Sequence, residues 1–418
     1  MPTVVTPEQI PQVLQVAEQA AQRGNFVLAD GMLRDCLDQG LAHPGLHHLL
    51  ARIGAAMHAF GPAAAHLRAV QKLLPAPDPG IAGTIAELER QEAAQLAART
   101  GSPRFMLIRA WGCGFCSDVD HVLGCLLLAE ATGRTPVVRW GQESLFRDEG
   151  VANAWTQFFE PVSPVTYEDL PLDNIWPPKW TPATLDLGRV NRDQGEWSRM
   201  QYLSYFARTE PLVVMDFTCR VVSVLPWLPT AHPLRGKTPA QAMRALAKKY
   251  LRPVPEVAAA ADAFYEKHLA PGPAIAAHIR GSDKADEDEA LDEGNQALRT
   301  GLVALAHKHA ASKVFLLTDS TSELAALRAE LGDRVVTTDA IRTGGRTGVH
   351  FLPNADRTRV GREVMIDMYI AAKCNALIGP GNSNVSCMIE HLKDWPANSI
   401  KFQMPSFHFN RNYFGYTW

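Results

Sequence analysis

Missing from this chain is any excess of charge of one sign. Its 41 Lys and Arg stand against 44 Asp and Glu, a formal net charge of -3, so bulk electrostatics offers nothing to a nucleic acid or a membrane surface. Also missing is an uninterrupted apolar run of roughly 18 residues, which leaves no spanning helix to expect. The opening Met1-Pro-Thr-Val-Val-Thr-Pro has neither a charged region nor an apolar one after it, so no secretory signal is expected and a cytoplasmic location is. Cysteine is sparse: Cys36, Cys113, Cys116, Cys125, Cys219, Cys374 and Cys387 are odd in number and scattered, unlike a disulfide framework. What remains is a chain of 418 residues, 46% hydrophobic, globular and longer than one core usually organises, so two or three domains are expected.

Residues 8–98 read as helices only. Ile10, Val13, Leu14, Val16, Ala17 and Ala20 recur at helical spacing, a turn follows at Arg23-Gly24-Asn25, and Leu28, Ala29, Met32, Leu33 and Leu37 resume the stripe. A third helix is expected over 49–59, broken by Gly61-Pro62, and a fourth over 64–74, stopped by Pro75 and Pro77. The spacing of these breaks resembles tetratricopeptide helix pairs, without their aromatic positions; a plain helical bundle packed on the next domain is the other reading.

From Pro103 the texture alternates. Strands are expected at 105–108 and 136–139 around a helix at 119–132, a βαβ unit, and a further strand at 212–215. Residues 161–183, rich in Pro and Trp, read as a long surface loop. Two helices follow, over 238–251 and 255–269. A second block has strands at 274–279, 314–317, 335–336 and 376–378 and helices near 295–311, 321–331 and 361–373, which implies a mostly parallel sheet covered on both faces.

Several constellations could carry chemistry. Arg280 falls just past a strand's carboxyl end, where open parallel sheets bind ligands, and its guanidinium can fork onto a diphosphate with Lys284 adding a point charge. Alternatively both are surface cations paired with Asp283 and Asp286. The acids from Asp286 to Glu289 either solvate a helix start or supply a general base for a hydroxyl; Asp288 is the residue chosen, with Glu287 and Glu289 as neighbours. Gly379-Pro-Gly-Asn-Ser-Asn-Val385 links a strand to a helix, so its amides, with Ser383 and Asn384, can meet a phosphate or simply cap the helix. Asp367, on an otherwise apolar helix face, can accept two N–H groups from a guanine edge or pair with an arginine. Cys113-Gly-Phe-Cys116 has no second C-x-x-C to complete a zinc ribbon. Asp118-Val-Asp120 has the spacing of metal-holding pairs in sugar transferases, but at a helix start Ser117 or Asp118 reads better as an N-cap. His121 is either a core or a cleft residue.

Together, in order, these segments resemble the α1,6-fucosyltransferase group, which includes the rhizobial Nod-factor enzymes, over roughly residues 105–395. The carriers are Gly112-Cys-Gly-Phe-Cys-Ser-Asp-Val-Asp-His121 with Gly133-Arg-Thr135, Phe158-Phe-Glu-Pro-Val-Ser163, Tyr250-Leu-Arg-Pro253, His278-Ile-Arg-Gly-Ser-Asp-Lys284, Leu317-Thr-Asp319, and the stretch from Asp367 to Val385. The resemblance implies a GT-B-like pair of Rossmann-like domains, GDP-fucose as donor substrate, anomeric inversion and no metal or other cofactor. Under it Arg280 holds the β-phosphate, His278 and Asp367 the guanine, Ser383 and Asn384 the phosphate end of the donor, and Gly114 the opposing glycine-rich loop, while Lys284 and Asp288 serve the acceptor. Gly281 departs from the family, which has a second arginine there.

The expected organisation is a helical, tetratricopeptide-like region at 1–100, a Rossmann-like acceptor-side domain at 101–270, a Rossmann-like GDP-sugar-binding domain at 271–400 and an aromatic tail at 401–418 that packs back across the domain junction. The acceptor is a glycan or a protein, and the N-terminal helices are a surface for a protein partner, which points to a bacterial setting. Trp155, Trp176, Trp180 and Trp197 are either an aromatic platform for a sugar ring or core. Transfer from another GDP-sugar, such as GDP-mannose, and a helical scaffold with an inactive transferase-like domain are the alternatives.

Overall fold

The computed structural model of the protein describes residues 4–99, 103–185, 201–215, 217–281, 291–308, 313–345, 347–352 and 356–410. Lys284 and Asp288, with Asp283, Asp286, Glu287, Glu289 and Trp197, lie outside them.

Five helices come first: α1 (Ile10–Gln22), α2 (Phe26–Asp38), α3 (Pro44–Ala56), α4 (Phe60–Leu73) and α5 (Pro79–Ala98). Side-chain caps set the starts of α2, α3 and α5, Asn25 accepting from the Leu28 N–H, His43 from that of Gly45 and Asp78 from those of Gly80 and Ile81. The break expected at Gly61-Pro62 falls three residues earlier, where His58 takes a left-handed φ of 56°. Pro62 sits in the first turn of α4, where a missing N–H costs no helical hydrogen bond.

The first parallel sheet has the order β2-β1-β4-β3, from β1 (Phe105–Arg109), β2 (Thr135–Arg139), β3 (Ile175–Trp176) and β4 (Leu212–Met215). Helix α6 (Phe115–Thr132) crosses from β1 to β2. It is apolar on almost every side and buried accordingly, and it ends on Gly133 in the left-handed conformation at φ 63°. Strand β3 was not expected inside 161–183, because a two-residue strand followed by Pro177 leaves no period to read. A short helix α7 (Val221–Val224) precedes α8 (Pro239–Tyr250) and α9 (Pro255–His268).

The second parallel sheet, β7-β6-β5-β8-β9, contains β5 (Ala274–His278), β6 (Lys313–Leu317), β7 (Val335–Val336), β8 (Ala376–Gly379) and β9 (Ile400–Phe402). Its helices are α10 (Leu291–Lys308), α11 (Thr321–Leu331), α12 (Arg357–Lys373) and α13 (Asn384–His391). Strand order reverses between β5 and β8, so the connections leaving their carboxyl ends run to opposite sides and open a crevice. Two Rossmann-like sheets preceded by an all-α region are the α/β architecture expected from the sequence.

Two distant motif segments find each other. Phe159 bridges Pro253, the Glu160 N–H donates to the Arg252 carbonyl at 2.9 Å, and the Arg252 Nε donates to the Glu160 carboxylate at 2.6 Å. One apolar cluster runs from Ile10 through α6 to Ile389, so the helical region shares a core with the sheets. Among the described residues, no helix is long and apolar enough to cross a membrane.

Candidate active site

A cavity of about 540 Å³ lies between the sheets, walled by residues 112–117 after β1, by residues after β5, β6 and β8, and by one face of α12. Of the residues singled out from sequence, His278, Arg280, Asp367, Ser383, Asn384 and Gly114 all line it.

Arg280 projects just beyond β5, its Nε 3.6 Å from an Asp319 carboxylate oxygen. The other Asp319 oxygen accepts the Gly281 N–H at 2.8 Å, and Asn295 of α10 donates to the Arg280 carbonyl at 2.6 Å. A side chain at Gly281 would start 2.5 Å from the Cβ of Ser320, so an arginine there requires Ser320 to move.

His278 is buried, and its Nδ1 lies 2.7 Å from the Ser386 hydroxyl. Burial, with Arg280 adding to it, lowers its pKa to about 3, so the imidazole is neutral. Asp367 faces the cavity from α12 and accepts the Thr338 hydroxyl at 2.6 Å. Burial raises its pKa to about 7, against the opposing Thr338 bond.

After β8 the chain turns tightly into α13. A side chain at Gly381 would sit 2.0 Å from the Met404 carbonyl, so the C-terminal segment can pass only over a glycine. Ser383 occupies the N-cap of α13, but its hydroxyl caps nothing and is buried without a hydrogen-bond partner. An N-cap serine normally satisfies a helix amide; here the hydroxyl and the first amides of α13 are left toward the cleft.

Gly114, with open space where a side chain would be, is the N-cap of α6 on the opposite wall. Helix α6 thus starts four residues before the expected 119, and Ser117 and Asp118 lie inside it rather than capping it. Asp118 reaches back to accept the N–H groups of Gly112 and Cys113 at 3.0 and 3.2 Å, tying down the glycine-rich loop. Asp120 pairs with Arg220 at 3.1 Å instead of joining Asp118. Among the described residues no three His, Cys, Asp or Glu converge as metal ligands.

Other readings also resolve. His121 is a core residue whose Nδ1 accepts the Cys219 N–H at 3.1 Å. The aromatic-platform expectation is corrected for Trp155, Trp176 and Trp180, which are 1%, 3% and 2% exposed and therefore core. Asp319, Thr338, Asn295 and Phe407 matter to the cavity but were not chosen from sequence. Asp319 stood in a quoted motif, whereas Thr338 and Phe407 carry no local signal.

Fold and site define an α/β protein of two parallel sheets with a ligand-sized cleft at a strand-order reversal. No family model matches the chain. Nodulation protein Z of Bradyrhizobium diazoefficiens is 23% identical over 307 residues, covering 69% of this chain and 79% of that protein. Among solved structures, NodZ alpha-1,6-fucosyltransferase soaked with GDP-fucose aligns at a TM-score of 0.47, with 22% identity over 70% of this chain and 93% of the other. POFUT1 in complex with GDP-fucose aligns at 0.46, with 14% identity over 73% and 98% of the two chains.

Proposed function

We propose that the protein is an inverting, metal-independent glycosyltransferase that moves fucose from GDP-fucose to a hydroxyl of a glycan. The observation that carries this reading is the meeting of Arg280, the unbonded Ser383 hydroxyl and the α13 N-terminus at the reversal between β5 and β8. Three donor types converging on one spot suit a diphosphate, which offers only acceptors. Asp367, on the α12 wall of the same cavity, suits the N–H edge of a guanine. The similarity to Nodulation protein Z over 307 residues supports the same class of reaction.

In this reading the acceptor oxygen attacks the anomeric carbon of fucose, the bond from that carbon to the β-phosphate oxygen breaks, and GDP departs with its electron pair. Arg280 stabilises the charge arriving on the β-phosphate, and a carboxylate, Asp288 in our assignment, takes the acceptor proton, with Lys284 also assigned to the acceptor. One displacement of this kind inverts the anomeric centre. Transfer of another GDP-linked sugar is the second reading, favoured by Gly281, because an arginine at that position would require Ser320 to move.

The test is a thermal-shift and turnover panel of GDP-fucose, GDP-mannose, UDP-sugars and GDP, with and without a chelator. Stabilisation by GDP and GDP-fucose, and hydrolysis or transfer that survives the chelator, are expected. Stabilisation by UDP but not GDP, or loss of turnover with the chelator, overturns the corresponding part.

A further inference from the structure

Behind the cleft, two buried histidines that the proposed reaction does not use form a chain with Asn384. Asn384, the first residue of α13, lines the cavity. Its Oδ1 lies 2.8 Å from Nε2 of His408, whose Nδ1 lies 3.0 Å from Nε2 of His391. Both histidines are 1% exposed. The Nδ1 of His391 ends the chain with no hydrogen-bond partner.

The direction of the chain decides what Asn384 shows the cleft. Burial pushes both imidazoles well below their usual pKa, with His408 opposing charge on His391 and Arg220 opposing it on His408. Each ring is therefore neutral, with one N–H and one lone pair. If His408 donated to His391, the one N–H of His391 would sit on Nδ1, buried without an acceptor, which is rarer than an unmet lone pair. The opposite arrangement leaves only a lone pair there. The nearby Asp120 carboxylate does not change this: its oxygen is 3.7 Å from His408 Nδ1, too far for a hydrogen bond, and its other oxygen is held by Arg220 at 3.1 Å. So His391 donates to His408, and His408 donates to Asn384.

We infer that His408, fixed in its tautomer by His391, is a positioning residue that holds the Asn384 oxygen and so turns the Asn384 NH2 group into the cleft as a diphosphate donor beside Ser383. Released, the amide can rotate and present its oxygen, which an anionic phosphate repels. The segment that brings His408 is itself fastened to the other wall: Arg220 donates to the carbonyls of Phe407 and Asn410 at 2.9 and 3.0 Å. The inference rests on the nucleoside-diphosphate reading of the cleft.

The experiment is calorimetry on the full chain with GDP, UDP, inorganic pyrophosphate and guanosine. His408→Phe removes the donor, His408→Gln keeps an N–H at the Nε2 position, and His391→Leu frees the tautomer while leaving an apolar side chain in a dry site. His408→Phe is expected to weaken GDP binding by about tenfold or more, with His408→Gln staying within about threefold of wild type. Guanosine, which lacks phosphates, should bind all variants alike, a separation that general damage to the site would not give. If His408→Phe does not fold, His391→Leu gives the same reading, as a severalfold loss for GDP alone. Equal GDP affinity in the folded variants and wild type overturns the inference and leaves the donor reading standing. Wild-type preference for UDP, with UDP and pyrophosphate weakened in the variants, keeps the inference and overturns the guanine assignment. No binding of either nucleotide or of pyrophosphate by wild type overturns both.

Discussion

Asp367 and Gly281 are the residues whose surroundings make the sharpest demands. Burial raises the folded pKa of Asp367 to about 7 from the usual 3.8, so between those values the folded state binds more protons than the unfolded one and stability falls as pH rises. The ionised carboxylate is the form that suits guanine N–H donors. GDP affinity should therefore rise as pH increases from about 6 to about 8 and level off above the folded pKa; titration calorimetry across that range checks it, and Asp367→Asn should bind weakly at every pH. Gly281→Ala places a Cβ 2.5 Å from that of Ser320. It should cost about 1–3 kcal/mol in urea unfolding, and Ser320→Gly should recover most of that, because Ser320 is the N-cap of α11 and glycine replaces such a cap at little cost. Arg280→Ala, on a partly exposed side chain, should abolish turnover with little change in melting temperature.

At the scale of elements, the cleft walls are held from behind by groups buried in pairs. Arg220 and Asp120 have side chains only 6% and 7% exposed, and Arg220 also bonds the C-terminal segment through Phe407 and Asn410. Removing the arginine alone strands a buried carboxylate, so Arg220→Ala should lose about 3–5 kcal/mol. The double change with Asp120→Ala should lose less, which a double-mutant cycle in denaturant reads directly. Asp118 acts locally in the same manner. Its carboxyl, raised to about 8 chiefly by burial, remains bonded to the Gly112 and Cys113 amides. Much of this level was legible: β1, β4, β5 and β8 follow apolar runs, β8 ends at Gly379, and α6 stops at Gly133. The start of α6 was not, because its cap is a glycine with no side-chain signal.

Across the whole molecule, the helical region is fastened to the sheets rather than strung before them. The Arg34 guanidinium sits 4.7 Å from the centre of the Trp227 ring, and Glu92 of α5 accepts the N–H and hydroxyl of Thr230 at 2.8 and 2.9 Å. A Cβ on Gly54 would come within 2.8 Å of Trp227, so α3 packs on that ring at backbone distance. Deleting residues 1–99 should therefore expose Trp227 and part of the common core, giving aggregation or loss of a cooperative melt in size-exclusion and fluorescence measurements. A clean, monomeric, stable remainder would show that the helices are a separable module.

The sequence by itself determined most of the succession of helices and strands and six of the residues that line the cleft, because periodicity, strand ends and turn chemistry are local and written in neighbouring side chains. It also marked the segments 158–163 and 250–253, though not that they pair with each other. Only the tertiary structure decided that Trp155, Trp176 and Trp180 are core, that Asp118 and Asp120 part to different partners, and that His408 stands behind Asn384. Those outcomes depend on contacts between residues far apart in the chain, where burial and the direction of each hydrogen bond are set by what the fold brings alongside.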